Sequence, residues 1–125
     1  MSLMFAVKAK KTKVALELLK KENINYNKID SFEDTVLIIA IRNKMTKVAL
    51  ELLKKEDINY NEKNNFGKTA LMYAIRNKME SVVLELLKKE DINYNEKDNN
   101  EFTALIFALI DEMESIALEL LKKKI

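Results

Sequence analysis

The chain has 125 residues, of which 48% are hydrophobic and 34% charged, with a formal net charge of +2. That is one domain's worth of a folded body, and so small a net charge argues against nucleic acid or an acidic membrane surface as a partner. Cysteine and histidine are both absent, which removes disulfides, thiol nucleophiles, the commonest general base and the commonest metal ligand.

The N-terminus offers only Leu3 to Val7 before lysines begin, too short for a signal-peptide core. Apolar runs such as Val36 to Ile41 fall far short of the roughly 20 residues that span a bilayer. No Asn-x-Ser/Thr acceptor occurs. Together these point to an intracellular, cytoplasmic protein. Lys13-Val-Ala-Leu-Glu-Leu-Leu-Lys-Lys-Glu22 then returns letter for letter as Lys47 to Glu56. It returns in edited form as Ser81 to Glu90 and as Ser115 to Lys124, always after 34 residues. A fixed period of this size marks a stack of supersecondary units.

The third unit, Glu62 to Asn95, serves as template. Thr69-Ala-Leu-Met-Tyr-Ala-Ile-Arg-Asn77 reads as a short helix, with Thr69 as N-cap and Leu71, Ala74 and Ile75 facing inward. Thr35 and Thr103 occupy the same place one period away. A second helix is predicted over Glu80 to Lys89, with Met79, Val82, Val83, Leu86 and Leu87 on one wide apolar arc. Leu84 lies outside the arc, as expected if the helix is sandwiched between neighbours. Glu17/Lys21, Glu51/Lys55, Glu85/Lys89 and Glu119/Lys123 have the i,i+4 spacing of helical ion pairs. The double lysines also oppose the negative end of the helix dipole. The polar stretch Glu90 to Phe102 and its equivalents contain Ile-Asn-Tyr-Asn at 24–27, 58–61 and 92–95. That stretch is too long for a bare helix–helix turn and predicts a projecting turn or hairpin.

A 34-residue period suits the tetratricopeptide repeat, but that repeat is nearly all helix and has no room for the polar connection. The ankyrin signature Thr-Pro-Leu-His-x-Ala fits Thr35-Val-Leu-Ile-Ile-Ala40, Thr69-Ala-Leu-Met-Tyr-Ala74 and Thr103-Ala-Leu-Ile-Phe-Ala108, with a truncated copy at Leu3-Met-Phe-Ala6. Asn64-x-x-Gly67-x-Thr69, the Val82-Val83 and Leu86-Leu87 pairs, and Ile92-Asn93 match further family positions. The chain therefore resembles an ankyrin repeat protein over nearly its whole length. The resemblance implies an all-α solenoid of four stacked helix-turn-helix units joined by hairpin loops. The units fall at about 1–27, 28–61, 62–95 and 96–125, within one domain 1–125. The signature's Pro and His are missing throughout. Gly67 is the only glycine, Glu33 and Glu101 replace it elsewhere, and Lys44, Lys78 and Glu112 stand where the first helix usually ends in glycine. The expectation is that these turns adopt another geometry.

Chemistry is thinly represented. Asp57-x-Asn59-x-Asn61 and Asp91-x-Asn93-x-Asn95 imitate the start of an EF-hand loop. The sixth position is Glu62 or Glu96 instead of Gly, and the twelfth is Lys68 or Phe102 instead of Glu, so no calcium site is expected. No phosphate-cradling Gly loop is present, and Ser81 and Ser115 have no base nearby in sequence. Neither a cofactor, a metal nor a catalytic residue is expected.

What the resemblance implies is a surface that binds another protein, formed by hairpin tips and the exposed edge of each first helix. Carried over by alignment, these positions are Ser31, Phe32, Asp34, Arg42 and Asn43, then Asn65, Phe66, Lys68, Arg76 and Asn77, then Asn99, Asn100, Phe102, Ile110 and Asp111. They vary between units while the second helices are nearly copied, and they include the phenylalanines and arginines that often anchor interfaces. A structural spacer of a longer repeat protein is the alternative. Capping units normally turn a polar face outward. Leu3, Met4, Phe5, Val7, Ile116 and Ile125 instead look like internal-repeat residues. The chain is accordingly expected either to be monomeric as part of a longer array or to self-associate through its ends.

Overall fold

The structure is a computed structural model that describes residues 2–123. Eight α-helices occur among them: α1 (Leu3–Lys8), α2 (Thr12–Leu19), α3 (Val36–Arg42), α4 (Thr46–Leu53), α5 (Ala70–Arg76), α6 (Glu80–Leu87), α7 (Ala104–Ile110) and α8 (Glu114–Lys123). They pair as α1/α2, α3/α4, α5/α6 and α7/α8. The first helices pack in the order α1, α3, α5, α7, and α2, α4 and α6 pack side by side in a second layer. This is the expected all-α solenoid, and one continuous apolar core runs through it.

Helices of seven or eight residues are too short to persist alone, so packing must hold them. In α3 every residue from Val36 to Ile41 is buried. The Oγ1 of Thr35, Thr69 and Thr103 accepts the backbone N–H of Ile38, Met72 and Ile106, which makes all three threonines N-caps as expected. On α6 the predicted arc of Val82, Val83, Leu86 and Leu87 is buried. Leu84 is a correction: it is exposed, as is Leu118, because the second helices leave their outer side to solvent.

The second helices also end earlier than Lys89, at Leu19, Leu53 and Leu87. The predicted i,i+4 ion pairs are therefore replaced by i,i+3 pairs, Glu17–Lys20, Glu51–Lys54, Glu85–Lys88 and Glu119–Lys122, at 2.8–3.5 Å. Lys55 and Lys89, released from the helix, donate to the carbonyls of Leu19 and Leu53 in the preceding unit, each at 2.8 Å.

The turn between the two helices of a unit was expected to avoid positive φ without glycine. It does not. Lys10, Lys44, Lys78 and Glu112 adopt φ of 58°, 57°, 54° and 59°. The turn is closed by hydrogen bonds such as Met79 N–H to Ala74 O (2.9 Å). The left-handed region costs a side-chain-bearing residue about 1–2 kcal/mol, and packing of the two helices outweighs that cost. Lys78→Gly is accordingly expected to stabilise the chain by about 1 kcal/mol, measured as the shift of the urea midpoint.

Each connection forms a tight hairpin built on one side chain. Asp30 Oδ1 accepts the N–H groups of Phe32 and Asp34, Asn64 Oδ1 those of Phe66 and Lys68, and Asp98 Oδ1 those of Asn100 and Phe102, all within 2.9–3.0 Å. Neighbouring hairpins then join backbone to backbone, Asn65 N–H to Phe32 O and Asn99 N–H to Phe66 O, both at 3.0 Å.

The Ile-Asn-Tyr-Asn motif is a clamp between units. Ile58 and Ile92 are buried. Tyr26 and Tyr60 donate to the carboxylates of Asp57 and Asp91. Asn27 donates to Asp57 O (2.9 Å) and accepts from Asn59 N–H (2.8 Å), and Asn61 does the same with Asp91 and Asn93. The aspartates and asparagines that imitate a calcium loop are thus committed to the stacking of units.

Candidate functional site

The sequence-predicted residues gather along the side formed by the hairpins and the first helices, where two kinds of environment alternate. One kind is a polar ladder inside the structure. Asp34 is buried, with Oδ2 accepting from Arg42 Nη1 and Oδ1 from Asn64 Nδ2, each at 2.7 Å. Asn64 Nδ2 also lies 2.9 Å from the Tyr73 hydroxyl. One unit further on, Lys68 Nζ donates to buried Asp98 at 2.9 Å, and at the start of the row Lys8 pairs with Asp30 at 3.1 Å.

The chemistry alternates to keep each rung complementary: acid over amide at Asp34/Asn64, ammonium over acid at Lys68/Asp98. Arg42 also lies over the Tyr73 ring at 5.2 Å and Arg76 over the Phe107 ring at 4.9 Å. Arg76 makes an ion pair with Asp111 at 3.1 Å. Such cation–ring contacts contribute about 0.5–1 kcal/mol each at exposed sites.

Asn43 and Asn77 belong to the same internal framework. They donate to Val7 O and Ile41 O in the preceding unit at 3.0 and 2.9 Å. Asn99 donates through its side chain to Asn65 O at 2.8 Å, whereas the equivalent Asn65 to Ser31 O contact is 3.5 Å.

The second environment is exposed. Phe32 and Phe66 at the hairpin tips remain 56% and 50% accessible. Ser31, Asn65, Asn100 and Ile110 are exposed beside them. Phe102 is partly held by an edge-on contact with Phe107, centroids 5.5 Å apart. The predicted set thus divides into residues that hold the stack and residues that present side chains to solvent.

Sequence reasoning named Asn64 only as a family-motif position and missed Asp30 and Asp98, all three of which organise the hairpins, and it gave no role to Tyr73 and Phe107, which carry the cations. The first three recur every 34 residues inside an otherwise variable polar stretch, and that recurrence was a usable signal. The aromatic position reads Phe5, Ile39, Tyr73 and Phe107 along the chain, a weaker recurrence that Ile39 interrupts.

Burial alone would raise the carboxyls of Asp30 and Asp98. The backbone donors of each hairpin, with Lys8 and Lys68, outweigh it and hold both groups below the ordinary aspartate range. With the folded value below the unfolded one, the unfolded chain binds more protons in acid. The resulting stabilisation is full above the unfolded value of about 4 and is lost as pH falls through the depressed one. Chemical denaturation from pH 6 down to acid should show stability falling below about pH 4, and Asp98→Asn should flatten that fall.

Among the described residues no cluster of three acidic side chains could hold a metal ion. No helix among them is long and apolar enough to cross a membrane. On the opposite side a groove of about 510 Å³ runs between the second helices, lined by Leu16, Leu50 and Leu84 with Lys54 and Lys88.

A family model described as ankyrin repeats (3 copies) matches residues 3–98 and again 59–125. No match to a curated protein was found. Ankyrin repeats are generally protein–protein interaction modules and typically not enzymes. With the Thr-capped first helices, the copied second helices and the hairpin ladder all in register, and the match running over nearly every residue, the chain belongs to the ankyrin repeat family.

Proposed function

We propose that the chain is a non-catalytic, cytoplasmic protein-binding module that engages one partner protein through its hairpin tips and the exposed edge of its first helices, the concave face in this family. The observation that carries this reading is the pair Phe32 and Phe66. Both rings are about half exposed on hairpins whose backbones are locked by Asp30 and Asn64. Large apolar side chains on a rigid frame lose little entropy on binding and are typical interface anchors.

The arginines support the site in a different way. Arg42 and Arg76 already pair with Asp34 and Asp111, so reversing their charge would set acid against acid and unfold the very surface under test. The decisive variant is therefore Phe32→Ala with Phe66→Ala. These exposed positions should change stability by less than about 0.5 kcal/mol each. In paired pull-downs from the source cells, a protein retained by the wild-type chain and lost by this folded variant is the expected result. Identical captures by both baits, or none by either, would favour the second reading, a spacer segment. That reading draws on the inter-unit clamps and paired charges, which serve stacking alone.

A further inference from the structure

Both end faces of the solenoid keep the residues of an internal junction. Ile41 and Ile75 are covered completely by the unit that follows them, but Leu109, at the same place in the last unit, is 61% exposed. Leu53 and Leu87 are likewise buried while Leu121 is not. At the other end the pattern is inverted. Val48, Val82 and Ile116 are buried against the preceding unit, whereas Val14 in the first unit is exposed, and Phe5 is exposed where Ile39 and Phe107 are buried. Leu3, Met4, Val7 and Ile116, expected among the bare end residues, are buried, and Ile125 lies outside the described residues.

We propose that the tail face of one copy, Leu109 and Leu121, stacks on the head face of a second copy, Phe5 and Val14, as a further internal junction. The geometry of the internal junctions supplies the template. Lys55 and Lys89 each reach a carbonyl of the preceding unit's second helix, and Lys21 stands at the equivalent place in the head unit.

Charge favours the head-to-tail contact. The interhelix turn of the head unit carries exposed Lys10, Lys11 and Lys13, and that of the tail unit exposed Glu112 and Glu114. Stacking sets these turns side by side, as adjacent units do. The internal junctions among Lys10, Lys44 and Lys78 stack with lysine beside lysine at these turns, so a lysine turn against a glutamate turn would add an attraction that they lack. A head-to-tail contact is heterologous, so it continues into longer stacks or closes a ring.

Sedimentation equilibrium of the whole chain tests this. The weight-average mass should rise with concentration and fall back as salt screens the turns. Val14→Lys blocks the head and Leu109→Lys blocks the tail. Each variant alone should stay at monomer mass, and their equimolar mixture should reach twice that mass and stop. Phe5→Lys and Leu121→Lys replace either variant that loses its helical circular dichroism. A wild-type monomer at every concentration would overturn the proposal and assign the faces to other occupants. Dimerisation of one blocked variant by itself would also overturn it, by showing a symmetric contact.

Discussion

Asn64→Asp, a change of one side-chain nitrogen to oxygen, is expected to destabilise the chain by about 3 kcal/mol at neutral pH, because it sets two carboxylates together in a buried rung. In the native chain Asn64 is saturated. Its Oδ1 accepts from Phe66 and Lys68, and its Nδ2 bonds Asp34 at 2.7 Å and the Tyr73 hydroxyl at 2.9 Å. An aspartate would keep the two accepted bonds and turn the contact with Asp34 from attraction into repulsion.

Two readouts separate this cause from generic damage. The pair would hold a proton, with one folded carboxyl raised above its unfolded value, so the deficit relative to wild type should shrink as pH falls toward 4. Adding Asp34→Asn should recover part of the loss, because the rung again pairs one acid with one amide and Arg42 keeps a side-chain oxygen to donate to. A deficit independent of pH, with no recovery in the double variant, would show that the rung chemistry is not what fixes Asn64.

Gly67→Ala should cost about 2–3 kcal/mol, read from urea denaturation. Gly67 has φ of 74°, and a Cβ there would lie 2.6 Å from Asn99 Oδ1 and 2.9 Å from Asn99 N. Strain in the left-handed region accounts for about 1–2 kcal/mol, and displacement of the next hairpin's backbone for the rest. Glu33 shares the positive φ without a glycine. The backbone junction is 3.0 Å at both hairpins, but the side-chain contact is longer there, with Asn65 Nδ2 at 3.5 Å from Ser31 O against 2.8 Å for Asn99 Nδ2 and Asn65 O. If Glu33→Ala and Gly67→Ala behaved alike, close hairpin approach would not be the reason for the glycine.

Much of the fold was legible because it repeats. The threonine caps, the apolar arc of the second helix and the pairing of short helices each follow from local chemistry, stated up to four times over. What escaped the sequence depends on partners about one period away. Whether Lys55 pairs with Glu51 or with the Leu19 carbonyl is decided by the helix ending at Leu53, with the preceding unit alongside. Lys44 and Lys78 tolerate positive φ because packing fixes the turn around them.

Asp34 reads as an exposed hairpin residue until Asn64 and Arg42 close over it. Leu84 reads as buried until the second helices are seen to leave their outer side bare. The positions proposed for binding were chosen from the sequence. Their division into Asp34, Arg42, Asn43 and Asn77 inside the framework and Phe32 and Phe66 outside it was not legible there.

The most direct measurement on the proposed binding surface is amide hydrogen exchange of the chain alone and with a protein retained in the pull-down. Added protection is expected at the hairpin tips, residues 30–34 and 64–68, with the outer helices 47–54 and 80–88 unchanged. Protection confined to the outer helices would place the partner in the leucine groove and contradict the assignment of the hairpin face.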